Sequence, residues 1–71
     1  MGTVWVVRDM AKGGMQYAVF STKPKQWRNG FQSSARGCIR IDVRNEIGKE
    51  VAGRKLKVGE CIEVICSEVV G

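Results

Sequence analysis

The residues able to do chemistry are few, and their spacing is unhelpful to catalysis. The chain has no histidine, so the commonest proton shuttle and both Ser-His and Cys-His nucleophile pairs are ruled out. Its seven carboxylates include Glu46 and Glu50, four apart on one helical face, where they suit solvation and a helix N-terminus better than acid-base work. Gly13-Gly14 is too short to cradle phosphates, and no G-x-x-x-x-G-K-[ST] pattern occurs. No catalytic site, no cofactor and no metal is expected. A zinc site needs about four converging ligands, and the closest cysteines, Cys61 and Cys66, stand an odd interval apart, which in a strand directs them to opposite faces. Cys66 reads as a small core hydrophobe. Cys38 and Cys61 fall on the polar sides of their strands; they approach each other if those strands pair, and otherwise are unrelated, partly buried thiols.

Charge is the one strong asymmetry. Lys23, Lys25, Arg28, Arg36, Arg40 and Arg44 face a single acid, Asp42, between residues 23 and 44, whereas no basic residue follows Lys57 and Glu60, Glu63 and Glu68 do. Trp27 and Phe31 lie inside the basic stretch. Cations interleaved with aromatics suit a polyanion, because phosphates take the charge and bases stack on rings. The same pattern suits an acidic protein face, with the aromatics as anchors and the arginines pairing with carboxylates. The candidate binding residues are therefore Lys23, Lys25, Trp27, Arg28, Phe31, Arg36, Arg40 and Arg44. A competing reading makes Trp27 and Phe31 plain core residues and the cations an ordinary solvated surface.

The elements that must position these groups are mostly strands. Residues 3–8, rich in β-branched and aromatic side chains on both faces, predict a strand that is central or covered on each side. A loop through Lys12-Gly13-Gly14 leads to a second strand over 15–21, antiparallel to the first. Pro24 ends that strand, and Asn29-Gly30 marks a small hairpin. Residues 38–43 alternate, which places Ile39, Ile41 and Val43 inward and Arg40 and Asp42 outward. Val43, Ile47 and Val51 then recur at helical spacing, with Asp42 as N-cap and Gly53 as the terminating glycine. Gly48 weakens that helix by ~1 kcal/mol relative to alanine. Gly59 precedes a last strand over 61–66, in which Ile62, Val64 and Cys66 share a face. The order predicts a mostly β, α+β fold: a small antiparallel sheet, or an open SH3-like barrel of four to six strands, with one short helix.

Seventy-one residues suit a single small domain spanning 1–71, burying only ~60% of its unfolded surface. The opening residues run directly into the first strand with no leader-like pattern. The longest apolar stretches, four residues, fall far short of the ~20 that span a bilayer. With an odd number of cysteines, these features predict a cytoplasmic protein with free thiols and no membrane contact.

Val4-Trp5-Val6-Val7-Arg8-Asp9, Tyr17-Ala18-Val19-Phe20 and Lys23-Pro24 resemble small uncharacterised β-rich proteins of bacteriophages and mobile elements, over about a third of the chain. The resemblance implies a bacterial or infected-host cytoplasm and no catalytic residues; such proteins commonly block, redirect or recruit host machinery by surface contact. The leading expectation is a non-enzymatic binding protein, inhibitor or adaptor, that docks on an acidic protein surface. A nucleic-acid-binding module and a homo-oligomer subunit with an exposed edge strand are the alternatives.

Overall fold

The computed structural model describes residues 2–10, 13–27 and 30–66, the side chain of Cys66 excepted. Among these residues six strands and one helix follow in the expected order: β1 (Gly2–Arg8), β2 (Tyr17–Phe20), β3 (Lys25–Trp27), β4 (Gly30–Gln32), β5 (Arg40–Val43), α1 (Asn45–Ala52) and β6 (Cys61–Cys66). Four strands form an antiparallel sheet ordered β5-β2-β1-β6, and β3 pairs with β4 in a separate two-stranded ribbon. The sheet does not close into a barrel. Among the described residues no helix is long and apolar enough to cross a membrane.

The apolar residues on both faces of β1 are explained by its central position. Val6, Tyr17 and Leu56 pack on one face with Val19, Val43, Ala52, Ile62 and Val64. Val7, Ala18, Phe20 and Phe31 pack on the other with Trp5, Cys38 and Cys61. The helix and the Leu56 segment cover the first face; the β3–β4 hairpin, through Phe31, covers the second. Successive residues of β1 and β2 thus serve different cores, as strand alternation requires.

Helix α1 corrects the sequence reading of its packing face. Ile47 and Val51 are exposed, and Gly48 is the buried residue. Asn45, Gly48 and Ala52 line the inward stripe at helical spacing, and their small size brings the helix close to β2. A Cβ on Gly48 would lie 2.1 Å from Tyr17 Cγ and 2.3 Å from its Cβ. Nor is Asp42 the N-cap: it pairs with Ala18 inside the sheet, and Arg44 takes that position without a side-chain cap. Asn45 ties the first turn to the segment just before β2 instead, its amide donating to the Gly14 carbonyl and its Oδ1 accepting from the Gln16 amide, each at 2.8 Å. Gly53 ends the helix in the left-handed region, φ 80°, as expected.

Strand β5 shows a second reversal. Ile39 and Ile41 are 60% and 56% exposed, because β5 is an edge strand and the helix packs over β2, β1 and β6. Arg40 and Asp42, expected outward, lie on the hairpin side, where Arg40 stacks 5.3 Å from the Phe20 ring centre. The hairpin itself differs by one position from the expected turn: Gly30 pairs with Trp27 as a strand residue, and residues 28–29 lie outside the described set.

The return from α1 to β6 is stapled by Glu60. Arg54 donates to both its carboxylate oxygens, and the Lys57 amide donates to Oε1 at 2.9 Å. The Arg54 hydrogen bond, followed by the Lys57 amide, holds this carboxyl at about 2.

Candidate functional site

The hairpin is where charge and exposed aromatic surface meet. All three residues of β3 are exposed, and Trp27 is 51% exposed. Its cross-strand neighbour is Gly30, so no side chain on β4 covers the ring from directly opposite. Lys25 Nζ lies 6.0 Å from the Trp27 ring centre, and Lys23 Nζ lies 5.8 Å from that of Trp5. Each pair is within cation–π range. The sequence singled out Trp27 but not Trp5, whose ring underlies Lys23 from the neighbouring strand; its pairing opposite Phe20 is a tertiary fact without a local signature.

Phe31, grouped with Trp27 as an anchor, is 5% exposed. This corrects its placement on the surface: alternation on β4 sends it into the hairpin-side core. Around it lies the network that fixes the hairpin to the sheet. Arg40 Nη1 donates to the Phe31 carbonyl at 2.7 Å, and Arg40 Nη2 reaches Asp9 Oδ2 at 3.1 Å. Asp9 Oδ2 also accepts the Phe31 amide at 3.4 Å, its Oδ1 takes the Met10 amide, and the carboxylate lies against Gly30. Asp42 Oδ1 accepts from Arg40 Nε and Nη2, both at 3.1 Å. Arg40 is therefore a clamp within the fold. Asp9, which the sequence left in a loop, is one of its two acidic partners and the one that also holds the Phe31 amide; an acid ending a strand was the available sign.

The remaining candidates separate. Arg36 is exposed on the turn preceding β5. Its loop is tied to residues 21–23 by Ser34 Oγ donating to the Lys23 carbonyl and by the Ile39 amide donating to Ser21 Oγ. Arg44 lies at the opposite end of the sheet, next to Val43, which pairs with Tyr17. Arg28 lies outside the described residues. Lys23, Lys25 and Trp27 form the core of the candidate surface, and the loop that carries Arg36 is tied to the Lys23 segment; Arg44 stands at the other end of β5 from that loop.

Cys38 and Cys61 belong to separate segments. The sheet order places β5 and β6 at opposite edges, so these strands do not pair; both thiols are free, partly buried and border the hairpin-side core. The Thr22 side chain, with lesser help from Ser33 and Ser21, lowers the Cys38 thiol to about 7 against partial burial. Burial raises Cys61, with nearby Lys23 opposing.

Among the described residues no group of three or more Cys, Asp or Glu side chains is placed to hold a metal, and no pocket opens in the surface. What that surface presents is cations over rings. No protein-family model, curated protein or solved structure matches the chain.

Proposed function

We propose that this is a non-enzymatic binding protein that docks on an acidic protein partner through Lys23, Lys25, Trp27 and Arg36. The observation that carries the reading is Trp27, half exposed on a short ribbon whose opposite side is locked to the sheet. An indole presented on a fixed support contributes contact area at little conformational cost, and such residues dominate binding energetics. The flanking lysines steer an acidic partner and pair at the rim. A phage-type inhibitor or adaptor acting in a bacterial cytoplasm is the setting that fits the resemblance in the N-terminal third.

The cation–ring pairs also favour a second reading, single-stranded nucleic acid, whose bases would stack where Lys25 and Trp27 meet. One experiment treats both. Tagged wild type, Trp27→Ala and Lys25→Glu are used to capture partners from bacterial lysate, with and without nuclease. A discrete protein retained after nuclease by the wild type and lost by both variants is the expected result. Retention by both folded variants overturns the surface assignment. Partners that vanish with nuclease, with affinity falling steeply in salt, transfer the surface to nucleic acid.

A further inference from the structure

We propose that the outer edge of β5 pairs with β5 of a second copy of this chain, antiparallel and centred on Ile41. Among the described residues nothing lies beyond β5 in the sheet. The direction of its backbone groups follows from the ladder. The Ser21 amide donates to the Ile39 carbonyl at 3.0 Å, which makes Ser21 and Ile39 a hydrogen-bonded pair. Such pairs recur at every second residue in an antiparallel ladder, so Ile41 opposite Val19 and Val43 opposite Tyr17 also bond inward to β2. Arg40 and Asp42 therefore direct their amides and carbonyls outward.

An antiparallel partner must match outward residues with outward residues. Centred on Arg40, self-pairing sets arginine against arginine; centred on Asp42, it sets aspartate against aspartate and Arg40 against Arg44. Centred on Ile41, it sets Arg40 of each copy against Asp42 of the other. Of these three registers, only the last brings unlike charges together without like ones. On the opposite face it stacks Ile41 on Ile41 and Ile39 beside Val43, covering the two isoleucines that the isolated chain leaves more than half exposed. Asp42 is itself 54% exposed at its side chain, and α1, which packs over β2, β1 and β6, leaves the edge clear.

The other edge lacks this complementarity. The Arg8 amide bonds to the Glu60 carbonyl at 3.0 Å, which sets Ile62 and Val64 inward and Cys61, Glu63 and Ile65 outward. No cation stands among them to meet Glu63. An unpaired edge presents free backbone donors and acceptors, and of the two described edges only β5 carries a self-complementary pattern. The two-fold axis of such a pair runs perpendicular to the sheet, so both hairpins project from the same side. The inference is independent of what those hairpins bind.

Sedimentation equilibrium of the full chain tests it, with Ile41→Lys and Asp42→Lys as variants at exposed positions and circular dichroism to verify their fold. The wild type is expected to approach twice 7.9 kDa with rising concentration, and each variant to weaken self-association about tenfold or more. Ile41→Cys under mild oxidation should yield a disulfide joining two residue-41 peptides, because a non-hydrogen-bonded pair brings its Cα atoms to about 4.5 Å. Asp42→Cys should yield no 42–42 link. A wild type that stays monomeric up to about 1 mM, a range that includes weak pairs, overturns the proposal. So does a dimer indifferent to both lysine variants, or a 42–42 link in place of 41–41.

Discussion

Gly48→Ala separates sequence logic from structural logic, because the two predict opposite signs. Helix propensity alone makes alanine better by about 1 kcal/mol. In the fold, the added methyl would sit 2.1 Å from Tyr17 Cγ, about 1.4 Å inside the 3.5 Å of an ordinary carbon–carbon contact. Rotating the tyrosine ring does not help, since Tyr17 Cβ, fixed to the β2 backbone, is itself 2.3 Å away. Tyr17 is fully buried, and its hydroxyl accepts the Leu56 amide at 2.9 Å. The helix must therefore lift off the sheet. Overpacking costs about 1–3 kcal/mol, and orphaning the Leu56 amide adds about 1–3. Less the propensity gain of about 1 kcal/mol, the net loss is ~1–5 kcal/mol, to be set against the ~4–11 expected for a chain this size. Urea unfolding followed by circular dichroism measures it, with exposed Glu50→Ala as a control expected within ~0.5 kcal/mol of wild type. A Gly48→Ala midpoint equal to or above that of the wild type would refute the close docking of α1 on β2.

Arg40→Met keeps the contact over Phe20 but removes the bonds to Asp9, Asp42 and the Phe31 carbonyl; with the side chain one-third exposed, the expected loss is ~2 kcal/mol, together with faster hydrogen exchange at the Phe31 amide. A change below ~0.5 kcal/mol in urea unfolding would deny the clamp its role. Cys38, lowered to about 7 by the Thr22 side chain first and by Ser33 and Ser21 after it, should alkylate with a rate that rises through pH 7 and levels above it as the thiolate fills. Cys61, raised by burial, should lag. Iodoacetamide labelling with peptide mapping reads both rates, and a Cys38 profile still climbing steeply above pH 8 would contradict the assignment.

Element order was legible because strand and helix punctuation is local: the Gly-rich loop, Pro24, Asn29-Gly30 and Gly53 each act through their own backbone. Which side of an element is buried was not. Apolar spacing favoured Ile47 and Val51, yet the helix turned its small residues inward, because what decides is how near Tyr17 comes. Ile39 and Ile41 alternated as core residues should, but their strand fell at an edge, a matter of sheet order that periodicity does not encode. Of the candidate site, the cluster of cations was visible from composition. That Phe31 would be buried and Trp27 exposed depended on the phase of two three-residue strands, too short for a pattern to fix.

Val6 and Val7, like Tyr17 and Ala18, are neighbours in the chain that belong to different cores. Neither α1 nor the β3–β4 hairpin has a completed surface to rest on until β1 and β2 have paired, and that pairing supplies both surfaces at once. The order of folding predicted from this is that the β1–β2 hairpin, closed by a short loop at small entropic cost, forms first and the two covering layers condense on it from opposite sides, an order that φ-values on the two strands and on the layers would check. Substitutions in the paired strands then act on the rate of folding. Those in the helix or the outer ribbon act mainly on the rate of unfolding.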